Sequence, residues 1–203
     1  MTEAFTIGPD EAEAYRVLRS RIDLSALPPL ARAVAEAVLC ATADFDYVTD
    51  LACDEAALAA GVNAIAAGAP VVVDSAMAAA GITPGVAGRP VICKAAEPLA
   101  ARLARTAGIT VPAAGVRLGF GEAGPGAVWI VGSEPDALTE ILRREVDPAL
   151  VIGLPVGFNG SAAAKEELRE SGLPSLSNRS EKGGPAVAAA AFGALYRAAT
   201  SGT

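Results

Sequence analysis

Short apolar runs that alternate with helix-like stretches constrain the fold of this chain more than any other feature of its sequence. The run 127–131 (AVWIV) is apolar at every position, as expected of a strand that is covered on both faces of a sheet. Similar runs lie at 70–73 and 90–93, and weaker strand candidates lie at 150–153 and 173–177. The chain therefore predicts a sheet whose strands are mostly buried.

Helical patterns fill the segments before and between these runs. Apolar spacing and early prolines predict helices over 11–21, from Pro28 to about 42, and over 54–67, 97–106, 134–144, 162–170 and 186–199. For helix 134–144 we expect Ser133 to be the N-cap. Alternating strands and helices predict parallel βαβ units, and hence one three-layer α/β/α domain over residues 1–203 with a mostly parallel sheet.

Composition excludes several classes of function. No residue of the 203 is histidine, which excludes Ser–His–Asp and Cys–His catalysis and imidazole metal sites. The net charge is −7 and basic residues form no run, so we expect neither nucleic acid nor a membrane surface as a partner.

Cysteine usage and hydropathy indicate the compartment. The three cysteines lack metal-ligand spacing, which predicts free thiols in a reducing cytoplasm and no bound metal. No apolar stretch reaches the roughly 18–20 residues of a membrane span, and the first ten residues contain no basic leader. We therefore expect a cytoplasmic protein.

Candidate ligand residues lie where the predicted strands end, because open α/β sheets bind ligands beyond the carboxyl ends of their strands. Asp74 is either a functional carboxylate or the N-cap of the next helix. The turn 154–160 contains Gly157 and Gly160, and is either a ligand loop or a tight structural turn. Gly183-Gly184 follows Arg179 and Lys182, which is typical either of an anion-binding nest or of a flexible turn.

Several blocks in one order resemble the precorrin-8X methylmutase family. They are residues 67–77 (AGAPVVVDSAM), 152–160 (IGLPVGFNG) with Lys165 after it, and the series Gly172-Leu-Pro174, Arg179 and Gly183-Gly184. The resemblance covers nearly the whole chain. It implies a five-stranded parallel sheet, a homodimer, no cofactor, and migration of a methyl group between ring carbons of a polycarboxylate corrin precursor after protonation by a histidine.

The chain departs from this family at polar positions. The family's histidine falls on Cys40, and its Glu-x-x-Ser pair falls on Ala12 and Tyr15 or nearby alanines. Its Thr-Arg-Ser segment corresponds to 110–112 (TVP), its Gly-Asn-Ala-Pro-Thr turn to 132–136 (GSEPD), and its Gly-Gly-Ser to 183–185 (GGP). Cysteine is a much weaker acid than imidazolium, and Cys40 is by default a core residue of its predicted helix.

The resemblance implies one catalytic position and a set of substrate-binding positions. Cys40 stands at the catalytic position. The candidate substrate-binding residues are Thr42, Asp44, Asp74, Ser133, Gly157, Asn159, Arg179, Gly183 and Gly184. Three functions follow: a methylmutase with an acid other than histidine, a diverged enzyme of this fold acting on another substrate, or a non-catalytic tetrapyrrole-binding protein.

Overall fold

A computed structural model describes residues 8–86, 89–144 and 146–201. The described residues form one sheet with helices on both faces. The strands are β1 (Leu51–Cys53), β2 (Val71–Val73), β3 (Val91–Ile92), β4 (Val128–Val131), β5 (Leu150–Gly153) and β6 (Ser175–Asn178). The helices are α1 (Pro9–Arg21), α2 (Pro29–Thr42), α3 (Tyr47–Asp50), α4 (Glu55–Ala66), α5 (Ala76–Ile82), α6 (Pro98–Ala107), α7 (Val111–Ala123), α8 (Pro135–Leu142), α9 (Ser161–Glu170) and α10 (Pro185–Thr200).

The sheet has six strands in the order β1-β6-β5-β4-β2-β3. The five strands from β6 to β3 are parallel, which confirms the predicted mostly parallel sheet. The sixth strand, β1, pairs antiparallel with β6 at the edge of the sheet. Its three residues follow α3 directly and are too few to show a strand periodicity, so the sequence did not indicate it.

Two layers of helices cover the sheet, as predicted. Along β4, Val128 and Ile130 join one hydrophobic cluster while Trp129 and Val131 join the other, because successive strand side chains point to opposite faces. The first cluster contains residues of α1, α2, α4, α5 and α10, and the second contains residues of α7, α8 and α9. The pair α2 and α10 packs closely because small residues predominate along both helices.

Three helices, α3, α5 and α7, were not predicted, and one predicted cap is wrong. Helix α3 has only four residues, α5 contains Gly81 and is followed by a Thr-Pro-Gly turn, and α7 contains Pro112 and three glycines, so none of them shows a clear helical pattern in sequence. Helix α8 begins at Pro135 with Glu134 at the N-cap, so Ser133 does not cap it. Within the described residues no helix has the length and apolarity of a membrane span.

Candidate functional site

The direction of the connections changes between β2 and β4. Strand β2 leads to β3 on one side, whereas β4 leads to β5 on the other side. Such a topological switch point opens a crevice beyond the carboxyl ends of the two strands. Asp74 and Ser75 follow β2, and Gly132 and Ser133 follow β4. The structure therefore brings the predicted residues Asp74 and Ser133 together at the switch point.

Asp74 is a buried carboxyl group that lies against the N-terminus of α8. Its Oδ2 accepts hydrogen bonds from the backbone N–H groups of Ser133 (2.7 Å) and Glu134 (3.3 Å). Its Oδ1 is buried and has no partner among the described residues. Burial raises the pKa of Asp74, although the N–H groups that it accepts favour the charged form. Asp74 thus accepts from the two N–H groups that immediately precede the first residue of α8.

Two serine hydroxyl groups lie next to this carboxyl group. Ser133 Oγ donates to Ser75 Oγ at 2.8 Å. Ser75 Oγ also accepts from the backbone N–H of Ala78 at 3.2 Å, which makes Ser75 the N-cap of α5. Asp74 therefore is not the N-cap of the helix that follows it. Both serines are half-buried, so this hydroxyl pair lies between the buried carboxyl group and the surface.

The first turn of α10 packs against the switch point, and glycines make the approach possible. A Cβ on Gly132 would lie 2.7 Å from Pro185 Cα. Gly183 has a φ of +150°, and a Cβ there would lie 2.3 Å from the carbonyl oxygen of Leu154. Gly184, with a φ of +128°, donates its N–H to the same carbonyl at 2.8 Å. The predicted residues Gly183 and Gly184 thus hold α10 against the strand ends.

A fully buried lysine joins the turns after β5 and β6. Lys165 Nζ donates to the carbonyl oxygens of Pro155 (3.1 Å) and Lys182 (2.7 Å), to that of Ser180, and to Asn178 Oδ1 (2.9 Å). Burial lowers the pKa of Lys165 to about 8. The resemblance to the family includes Lys165 but gives it no role. Its position three residues before Leu168, on the apolar side of its helix, could have indicated that it is buried.

Asp50 is a second residue that the sequence did not single out. Its Oδ2 accepts from Asn178 Nδ2 (2.7 Å) and Ser180 Oγ (2.7 Å), and its Oδ1 accepts from the N–H of Ser180 (2.7 Å). Burial opposes its charge, but these hydrogen bonds prevail and the pKa of Asp50 is lowered. An ionised Asp50 therefore fixes the start of the loop that contains Gly183 and Gly184.

Cys40 lines a groove of about 450 Å³ between α1, α2, α5 and α10. Its half-buried thiol has a raised pKa because of burial first, and then because of the charges of Glu36 and Glu11. Tyr15 and Arg197 also line the groove, and Arg197 Nη2 donates to the hydroxyl of Tyr15 at 2.9 Å. Ala186, in the first turn of α10, also lines the groove. That turn therefore lies between the Cys40 groove and the switch point.

Thr42 and Asp44, also predicted to bind a ligand, have partners inside the protein. Thr42 Oγ1 donates to the carbonyl of Val38 at 2.8 Å and accepts from the N–H of Asp44 at 3.2 Å. Lys182 Nζ donates to Asp44 Oδ2 and Asp46 Oδ2, each at 2.6 Å. These contacts tie the end of α2 to the loop before α10. Because two carboxylates neutralise Lys182, this lysine is a poor anchor for an acidic ligand.

The remaining predicted residues, Gly157, Asn159 and Arg179, do not line the Cys40 groove. Gly157 and Asn159 belong to the turn after β5, whose Phe158 is 97% exposed. The Gly157 N–H donates to the carbonyl of Glu181 at 3.0 Å. Arg179 is exposed and lines a different cavity, of about 780 Å³, beside the edge strand β1. The structure therefore does not bring Arg179 and Cys40 into one pocket.

The described residues offer no group of three or more histidine, cysteine, aspartate or glutamate side chains that could hold a metal ion. Cys40, Cys53 and Cys93 are free thiols and are half-buried. The chemistry that this edge of the sheet offers consists of hydroxyl, thiol, carboxyl and backbone N–H groups.

Comparisons with known proteins give one consistent result. The family model for precorrin-8X methylmutase matches residues 11–198. The cobalt-precorrin-8 methylmutase of Salmonella typhimurium is 32% identical over 193 residues, which cover 91% of this chain and 92% of the relative. The precorrin-8X methylmutase of Pseudomonas aeruginosa is 35% identical over 200 residues, with 90% and 91% covered.

Solved structures give the same result. The crystal structure of a precorrin-8X methylmutase from Thermus thermophilus superposes with a TM-score of 0.85 at 32% identity, covering 96% of this chain and 99% of that one. A structure described as a precorrin-8X methylmutase related protein gives a TM-score of 0.81 at 26% identity, covering 90% and 98%.

Proposed function

The chain belongs to the precorrin-8X methylmutase family, an isomerase family of cobalamin biosynthesis, and we propose that it converts precorrin-8 into hydrogenobyrinic acid by migration of a methyl group. The observation that carries this proposal is the match over residues 11–198, which includes every strand and every loop at the carboxyl edge of the sheet. The relatives are named for both the metal-free and the cobalt-containing ring.

We place the macrocycle at the carboxyl edge of the sheet, with its reacting region in the Cys40 groove. The first turn of α10 lines this groove at Ala186 and packs on Gly132 at the switch point. One ligand could therefore contact the groove and the strand-end loops together. The loops that contain Gly157 and Gly183-Gly184 are called the glycine loops. Their backbone N–H groups and the Arg197 guanidinium are suitable partners for the carboxylates of the macrocycle. The predicted residues that border the proposed macrocycle site are Thr42, Asp44, Asp74, Ser133, Gly157, Asn159, Gly183 and Gly184. Arg179 would contact only a ligand that extends to the sheet edge.

Cys40 is the proposed proton donor because it stands at the position of the family's histidine. The raised pKa of Cys40 keeps it a thiol at neutral pH, so a proton is present to donate. The same shift makes it a weak acid, so protonation of the ring is slower than from an imidazolium group. Binding of the ring in a reactive shape then supplies a larger share of the acceleration.

The proposed assembly is a cytoplasmic homodimer of one-domain subunits that uses no cofactor. The groove is open on one side, and apolar side chains at the carboxyl edge are exposed, among them Met77 (71%) and Phe158 (97%). A ring, a second subunit or both would remove this apolar surface from water.

A tetrapyrrole-binding protein without catalysis is the second candidate function, and the loss of histidine favours it. Both candidates require a corrinoid in the groove, but only the first requires turnover. A diverged enzyme for another substrate would bind neither precorrin-8 nor hydrogenobyrinic acid.

Thiol footprinting with hydrogenobyrinic acid tests where the ligand binds. The purified protein is titrated spectroscopically with hydrogenobyrinic acid, and maleimide labelling of each cysteine is then followed with and without this ligand. We expect binding, slower labelling of Cys40, and unchanged labelling of Cys53, which lines the edge cavity. Protection of Cys53 instead would move the ligand to the edge cavity, and absence of binding would reject both corrin functions.

A further inference from the structure

Lys165 of α9 is a buried cation whose presence the methyl migration itself does not explain. Lys165 is fully buried, yet among the described residues its ammonium group has no carboxylate partner and donates to neutral oxygens. Burying a charge without an opposite charge costs free energy. The lowered pKa of Lys165, to about 8, reflects that cost, with the charge of Asp50 opposing the shift and that of Arg169 adding to it.

The acceptors of Lys165 come from two separate loops at the proposed site. Pro155 belongs to the loop after β5, and Asn178, Ser180 and Lys182 belong to the end of β6 and the loop that follows it. Three of the four acceptors are backbone carbonyls. An ammonium group is compact and can direct its donors to several oxygens at once, so one lysine sets the orientation of peptide groups in both loops.

The orientation of each carbonyl also fixes the direction of the N–H group in the same peptide unit. The described residues contain no cis peptide bond, and a trans peptide places N–H opposite C=O. The N–H groups of Val156, Glu181 and Gly183 therefore point away from Lys165. None of the three donates to an acceptor among the described residues.

We propose that Lys165 is a positioning residue of the substrate site, which orients the loops 155–157 and 180–183 so that the N–H groups of Val156, Glu181 and Gly183 face the ligand. This inference rests on the proposed function for the identity of the ligand. Lys165 itself does not touch the substrate, because it is enclosed by the loops it orients. Its removal should loosen both loops and weaken binding, while the sheet stays intact.

Chemical rescue of Lys165→Ala tests this role. The substitution removes the equivalent of propylammonium, so added propylammonium can restore the cation, whereas 1-propanol restores volume without charge. We expect amide hydrogen exchange in 155–160 and 179–184 to become about tenfold faster or more, and the affinity for hydrogenobyrinic acid to fall about tenfold. Propylammonium should reverse both changes and 1-propanol neither. Glu166→Ala, on the exposed side of the same helix, is the matched control and should change neither.

Two results would overturn the proposal: unchanged exchange in both loops of Lys165→Ala, or equal rescue by 1-propanol. If Lys165→Ala does not fold, Lys165→Met keeps the volume without the donors, and wild-type exchange and affinity in that variant would equally overturn it. Hydrogen exchange needs no ligand, so it tests the role of Lys165 separately from the proposed function. If the wild-type protein fails to bind hydrogenobyrinic acid, the proposed function is contradicted, and the exchange result still decides the role of Lys165.

Discussion

Cys40 is the proton donor that we propose from the resemblance to the family, and its surroundings oppose acidity. Burial and the carboxylates of Glu36 and Glu11 raise the pKa of its thiol. The sequence could identify Cys40 only through the family's order of motifs, because a cysteine on an apolar helix face is otherwise a core residue. The groove around it contains residues from four helices that are far apart in the chain, and no local pattern predicts such a groove.

Substitutions at Cys40 should separate acid catalysis from binding. We expect Cys40→Ala to lower kcat about tenfold with little change in KM, because a weak acid contributes less than the usual 10²–10⁴-fold. Cys40→His should raise kcat above that of the wild type, because an imidazolium group donates a proton more readily. Cys53→Ala is the control, since Cys53 is a half-buried thiol outside the groove. Wild-type kcat in Cys40→Ala would remove Cys40 from the mechanism.

Asp74 should leave a signature in the dependence of stability on pH. The pKa of Asp74 is raised in the folded state, so between the unfolded value of about 3.9 and the raised value the folded state binds more protons. Its contribution to the free energy of unfolding therefore falls as pH rises through this window and is constant above it. In Asp74→Asn this fall should be absent when urea unfolding is compared with the wild type from pH 4 to 8. Parallel curves for the two proteins would show that Asp74 does not titrate in this way.

At the scale of the elements, the sequence predicted most helices and all five parallel strands because each has a clear period or an apolar run. Helices α3, α5 and α7 and strand β1 were missed for local reasons. Helix α3 and strand β1 are too short to show a period, and glycines, together with a proline in α7, weaken the other two helical patterns. The close contact between Gly132 and Pro185 is a tertiary feature, and sequence showed only that a glycine follows β4.

Gly132→Ala tests the packing of α10 on the strand ends. The new Cβ would lie 2.7 Å from Pro185 Cα, so backbone must move. We expect a loss of about 1–3 kcal/mol in the free energy of urea-induced unfolding, as is typical of overpacking. Gly121→Ala is the control: a Cβ at this position in α7 meets nothing within 4 Å, and alanine should stabilise the helix by about 0.5–1 kcal/mol. Equal stability of the two variants would contradict the close contact.

At the scale of the whole molecule, the sheet order explains why the sequence could predict the site residues at strand ends but not the side chains that contact their loops. The carboxyl ends of parallel strands share one edge, so Asp74, Ser133 and the glycine loops were predicted there and lie there. Lys165, Asp50 and Arg197 reach this region from α9, α3 and α10, and their roles depend on burial and on contacts between distant segments. Arg179, grouped with the glycine loops by sequence proximity, faces the edge cavity instead.

The most direct test of the account is incubation of the purified protein, in molar excess, with precorrin-8 while the absorption spectrum is followed over time. We predict conversion to the spectrum of hydrogenobyrinic acid without an added cofactor, because the fold and the strand-end loops of the family are present and a pericyclic methyl shift requires mainly a bound, protonated ring. A stable spectrum of bound precorrin-8 that never converts would contradict isomerase activity and leave a corrinoid-binding protein.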